Sequence, residues 1–170
     1  MIRCYTSEHQ ISRTVMAAFA EGCDGQMVPP VALLEGEAAM YGILRGTGEI
    51  IKQCEMVHRK FHYLDHGYIA HAHYDGYYRV SLNGRQAKID LSEQWPDSRL
   101  KALGVKPKPW RKNGAKILVI PLTQHIGAFY GIAPDQWLSS VAQEISRHTR
   151  RPIAVKAKED GDILEALQDV

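Results

Sequence analysis

The chain has 170 residues, 45% of them hydrophobic and 24% charged, with a formal net charge of +2. That is enough chain for one α/β core or two small lobes, and the composition excludes disordered and collagen-like classes. No run of 18 apolar residues marks a membrane span, and the opening MIRCYTSEHQ has no basic-then-apolar leader pattern, so a cytoplasmic protein with no membrane partner is expected.

In chain order, MIRCYT reads as a short strand opening a sheet. From Glu8 to Glu21, the apolar residues Ile11, Val15, Met16, Phe19 and Ala20 recur at helical spacing, with Ser7 as the expected N-cap and Gly22 as the stop. Gln26 to Leu34 reads as loop and then strand, Ala38 to Leu44 as a strand, and Glu49 to His58 as a helix. Lys60 to Leu64 is a further strand ending at Asp65. From His71 to Leu82 the chain alternates and is aromatic, and Asn83-Gly84 then marks a hairpin or strand-end turn. Ile89 to Lys116 reads as a long connection with one short helix near Ser98 to Leu103. Lys116 to Pro121 is a strand and Leu122 to Gly127 a polar loop. A helix with Pro134 in its first turn follows, striped by Trp137, Leu138, Val141 and Ile145. The strand IAVKAK completes a βαβ unit, and Asp162 to Val170 resembles the opening of another helix.

Strands alternating with helices predict an α/β fold: a doubly wound, mainly parallel, Rossmann-like sheet with a hairpin or edge strands in the middle. The expected division is a first lobe over 1–95, a basic proline-containing connector over 96–116, and a βαβ unit over 117–170.

In such sheets ligands sit outside the carboxyl ends of the strands, so the residues following each strand are the site candidates. Arg45-Gly46-Thr47-Gly48 precedes a helix start, and its glycines, free N–H groups and guanidinium suit a phosphate, although a tight turn explains the same residues. Asp65 and His66 follow a strand, where Asp65 would orient His66 or accept from a ligand hydroxyl, and Gly67 and Tyr68 come next. Tyr77, Tyr78 and Arg79 suit stacking on a base or sugar, or core packing with an arginine tip in solvent. His125 lies in the later polar loop, and Lys156 and Lys158 share one face that would meet an anion. His71, His73 and Asp75 alternate on one strand beside His62 and His66. Their spacing fits no recognised zinc pattern, so no metal and no cofactor is assigned. Cys4, Cys23 and Cys54 form no CxxC pair and are expected to be buried free thiols.

The succession MYGILRGTGEIIKQC, FHYLDHGYI, YYRVSLNG, ILVIPLTQHIGAFYG and RRPIAVKAK resembles the front part of a group of phage- and bacteria-encoded proteins. That group is similar to capsular-polysaccharide-type glycosyltransferases with two Rossmann-like lobes. The resemblance covers about Ala38 to Lys158 and implies a nucleotide-sugar-related fold, with Arg45, Gly46, Asp65, His66, Tyr68 and Arg79 among the motif positions. It also implies that 117–170 is the shortened start of a second lobe, so that the chain is either a shortened form, one that has lost catalysis, or one that works with a partner chain or a second copy. In an active enzyme of this kind, Asp65 or His66 would be the general base on an acceptor hydroxyl, and Arg45, Lys156 and Lys158 would stabilise the leaving diphosphate.

A rival expectation is a phage-encoded protein without chemistry that binds nucleic acid or a host protein. Seven basic residues and no acid lie between Ser98 and Lys116, from Arg99 through to Lys116 itself, and basic grooves with stacking aromatics track single strands. A weaker third reading is a metal-dependent hydrolase built on His66, His71, His73 and Asp75.

Overall fold

The computed structural model describes residues 1–67, 76–86, 96–104, 106, 109, 114–157, 160–161, 163 and 167. The chain divides into two units, Met1–Lys106 and Pro107–Val170, so the connector expected over 96–116 straddles their boundary. The first unit holds the strands β1 (Ile2–Tyr5), β2 (Gln26–Val28), β3 (Glu37–Tyr41), β4 (Phe61–His66) and β5 (Tyr78–Leu82). Its helices are α1 (Gln10–Cys23), α2 (Thr47–Met56) and α3 (Ser98–Ala102). The fold is mixed α/β. The five strands form one sheet in the order β2-β1-β3-β4-β5, parallel at every pairing except β4 with β5.

The periodicity of α1 explains its seat. Ile11, Val15, Met16 and Ala20 recur along one stripe and are buried with Cys4, Ala39, Tyr41 and Leu64, which share one face of the sheet. The alternate residues Tyr5, Ala38, Met40, Phe61 and Tyr63 point to the other face and are also buried, so the sheet hides both sides. In α2, Ile50, Ile51 and Cys54 are buried and the helix packs on β3.

Several boundaries differ from the sequence expectation, each for a local reason. The N-cap of α1 is His9 rather than Ser7. The Ser7 hydroxyl instead accepts from His9 N, and Ser7 N donates to Ser12 Oγ, which ties the entry turn to the helix. Gly22 stays helical, and the stop is Asp24, left-handed at φ 49°, whose N–H donates to Ala20 O. The strand in Gln26–Leu34 comes first and the loop second, because Pro29 and Pro30 cannot donate to a ladder. The strand β4 runs past Leu64 to include Asp65 and His66, which pair with Arg79 and Tyr78 of the antiparallel β5. Asn83, at φ 53°, ends β5 and is hydrogen-bonded both ways to Phe61.

In the second unit, β6 (Ile117–Val119) and β7 (Ile153–Val155) pair in parallel and are joined through α4 (Gln124–Tyr130) and α5 (Pro134–His148), as a βαβ unit requires. The polar segment read as loop is the helix α4. Thr123 caps it by accepting from Ile126 N, and left-handed Gly131 closes it. The tight turn into α5 needs Gly127, since a Cβ there would sit 2.6 Å from Ile132 O. In α5, Pro134 opens the helix, Asp135 lies at its positive end, and Arg147 and His148 lie at its negative end. Its apolar stripe is only half-buried. The helix expected over Asp162 to Val170 lies almost wholly outside the described residues. Among the described residues no helix is long and apolar enough to cross a membrane.

Met16 is fully buried under the sheet, so Met16→Ala is expected to cost about 2–5 kcal/mol. Urea unfolding followed by circular dichroism measures this, and an exposed control, Met56→Ala, should stay within about 0.5 kcal/mol.

Candidate functional site

Strand β1 lies between β2 and β3, and all three run the same way. The chain leaves β1 toward β2 through α1, and leaves β3 toward β4 through α2. The loops after β1 and β3 therefore diverge, and such a divergence opens a crevice at the carboxyl ends of the strands. A cavity of about 880 Å³ lies there. Ser7, Glu8, Arg13 and Arg45 contribute its polar lining, and Val28 and Pro30 belong to its apolar wall.

The walls are held by specific bonds. Gly46 adopts φ 87°, and a Cβ on it would sit 2.6 Å from Pro30 Cγ, so only glycine lets the loop after β3 close on the loop after β2. Thr47 is fully buried. Its hydroxyl accepts from Leu44 N at 2.9 Å and donates to Gly42 O at 2.9 Å, pinning the turn between β3 and α2. Glu49 accepts from Gly46 N at 3.1 Å, the half of a capping box that a glycine N-cap permits. The N-terminus of α2, expected to cradle a phosphate, is thus already met by the chain's own carboxylate, and Gly48 is buried in its first turn. At the other wall, α1 has neither a side-chain cap nor an acid in its first turn. Arg13 and Arg45 are exposed, and neither forms an ion pair among the described residues. The crevice sets two guanidinium groups and the Glu8 carboxylate beside an apolar wall, and two cations against one acid suit an anion carrying a flat or apolar body.

Asp65 and His66 end β4, the neighbour of β3, and strand alternation sends their side chains to opposite faces. Asp65 therefore does not orient the His66 imidazole. Its Oδ1 accepts from the backbone N of His66 at 2.8 Å, and its Oδ2 accepts from Tyr63 Oη and Arg79 Nη2, both at 3.0 Å. Arg79 also donates to Arg85 O and lies 5.7 Å from the Tyr63 ring centroid, so its guanidinium is held within the chain. On the opposite face His66 Nε2 and Tyr41 Oη are 2.7 Å apart in a hydrogen bond, and Tyr78 stacks on the imidazole at 5.5 Å. Burial first, then the charge of Asp65, pushes the Tyr41 phenol up to about 12, so it keeps its proton and is able to donate to a neutral imidazole. Burial, then the Asp65 carboxylate, raises Tyr63 as well.

Of the residues expected to share one rim, Arg45 and Gly46 line the crevice, while Asp65 and His66 end the adjacent strand on its two faces. His125 belongs to the other unit, where it is exposed in the first turn of α4. Lys156, also in that unit, is buried, and its ammonium donates to Gly161 O at 2.7 Å and Ala157 O at 3.4 Å rather than reaching for an anion. Tyr68, Lys158, His71, His73 and Asp75 lie outside the described residues, as does much of the basic segment. Among the described residues no three His, Cys, Asp or Glu side chains gather to hold a metal ion. Sequence reasoning missed Arg13, Pro30 and Tyr41. Arg13 lies on the polar side of an ordinary amphipathic helix, and Tyr41 was read only as strand apolarity.

Comparison with protein-family models, curated proteins and solved structures finds no match to this chain.

Gly46→Ala should destabilise the protein by about 2–3 kcal/mol in urea unfolding, since it combines a disfavoured backbone with a clash on Pro30. Absorbance of tyrosinate provides a second check. One tyrosine should titrate near pH 12 and vanish from the curve in Tyr41→Phe. The folded phenol is raised above its unfolded value of about 10. Its contribution to stability is therefore complete below pH 10 and is lost as pH climbs from there to about 12.

Proposed function

We propose that the first unit is a doubly wound, Rossmann-like domain, with α1 on one face of the sheet and α2 on the other. In this reading it binds a nucleotide-sugar or a similar phosphorylated small molecule in a glycosyltransferase-like manner. The observation that carries the reading is the crevice between the loops after β1 and β3, at the carboxyl ends of parallel strands, with Arg13 and Arg45 in its lining. A diphosphate would lie against the two guanidiniums, which fork onto phosphate oxygens. The face of a base or sugar would rest on Val28 and Pro30.

If the domain catalyses transfer, the arginines stabilise the charge that develops on the departing diphosphate. Of the two candidate bases, Asp65 already accepts hydrogen bonds from the chain at both oxygens, and His66 serves once Nε2 exchanges the Tyr41 hydroxyl for that of the acceptor. Tyr41, bonded to Nε2, and Tyr78, stacked on the ring, fix the imidazole's orientation. Lys156 takes no part in the phosphate site of this reading, since its ammonium is held by backbone carbonyls.

Uridine diphosphate and the other nucleoside diphosphates test the reading by thermal shift and calorimetry. At least one should raise the melting temperature, with stabilisation of about 2.7 kcal/mol at a hundredfold excess over Kd. Arg45→Ala should weaken that ligand by roughly 10–100-fold, the worth of a charge-assisted bond. Melting curves unmoved by every nucleoside diphosphate would remove the proposal.

A further inference from the structure

Cys4 lies within β1 and is wholly buried, and Cys23 is the last residue of α1, half-buried against the same core. Their sulfurs crowd a single point. The position that a Cβ on Gly25 would occupy is 2.7 Å from Cys4 Sγ and 3.1 Å from Cys23 Sγ. Gly25 is not among the residues with positive φ, so its backbone does not require glycine. What a side chain there would meet is the two sulfurs and the carbonyl of Ile2. The Cys23 thiol donates to Ala20 O at 3.9 Å. The third cysteine, Cys54, is buried in α2.

We propose that Cys4 and Cys23 are a redox-sensitive dithiol, which a hydroperoxide converts to an intramolecular disulfide joining β1 to the end of α1. The two thiols have different parts. Burial, then the neighbouring Cys23, pushes Cys4 up to about 12, which makes it a poor first nucleophile. Cys23 is partly exposed and meets the oxidant. Its thiolate attacks one oxygen of hydrogen peroxide, the O–O bond breaks, and the departing hydroxide takes up a proton as water, leaving Cys23 as a sulfenic acid. Cys4 sulfur then attacks Cys23 sulfur. The S–O bond breaks, the S–S bond forms, and the hydroxyl leaves with the Cys4 proton as a second water. Two thiols and one peroxide become one disulfide and two waters, the sulfurs supplying both electrons. A bond length of about 2.05 Å needs the sulfurs to close further, and the terminal position of Cys23 in its helix is where such a shift costs least. Formation of the bond clamps α1, whose opposite end meets the crevice, onto the sheet.

The full-length chain is treated with hydrogen peroxide, free thiols are blocked with N-ethylmaleimide under denaturing conditions, and peptides are mapped by mass spectrometry. A Cys4–Cys23 linked pair, lighter by two hydrogens and lost on dithiothreitol, with Cys54 blocked by maleimide, is the expected result. In Cys23→Ser the Cys4 thiol should survive the same treatment. In Cys4→Ser a sulfenic acid on Cys23 should be trapped by dimedone. Maleimide on both Cys4 and Cys23 of the oxidised wild-type chain overturns the proposal, as does linkage through Cys54. The wild-type map decides the matter even where Cys4→Ser fails to fold.

Discussion

Everything in the first unit depends on β1 being hydrogen-bonded on both sides by parallel neighbours. Its register pairs Cys4 with Met27 on one side and with Ala39 on the other. Because parallel strands cannot be joined by tight turns, each is followed by a crossover segment, and here a helix departs after β1 and another after β3. With the partners of β1 on opposite flanks, the two departing loops separate and leave room between them. The crevice is a consequence of strand order and not of any one side chain, and the arginines beside it are additions to a space the topology creates.

The same strand logic decides which chemistry is available at the neighbouring strand end. Consecutive strand residues face apart, so Asp65 and His66 belong to two separate clusters, one of tyrosine, arginine and carboxylate, the other of aromatic rings around an imidazole. The first satisfies its charge internally and works as a strut between β4 and β5. Arg79 is one fifth exposed, so the ion pair is sheltered without being dry, and its value lies in fixing register more than in raw stability. The second leaves a histidine set among groups that hold its ring still.

How much of this was legible from sequence varies with the range of the interactions concerned. The helices α1 and α5 were visible because their stripes repeat locally, and Pro134 announced a helix start through its fixed φ. An edge strand in the middle of the chain was expected, but the register of β5 on β4 was not visible, since it joins Asp65 to Arg79 across 14 positions and extends a strand by two residues beyond its apolar run. The helix α4 was hidden by its length of seven residues and by two glycines at or inside its end, which mimic a loop. The strand-end position of Arg45 and Gly46 was legible because a Gly-flanked end of an apolar run is a local signal. Arg13 was not, because only the fold brings the start of α1 beside the loop after β3. The reach of Glu49 back to Gly46 N was not legible either, since the same residues read equally as a free helix start.

The helix α5 offers a contrast with α1. Both carry clean apolar stripes, yet five residues of α1 are buried and none of α5. A side chain sealed on every side admits little change in volume, whereas one that is open along an edge has room to shift. Across evolutionary time the two helices should therefore drift at different speeds. Met16 and its neighbours are held to size and shape, while Trp137, Leu138, Val141 and Ile145 are held only to being greasy.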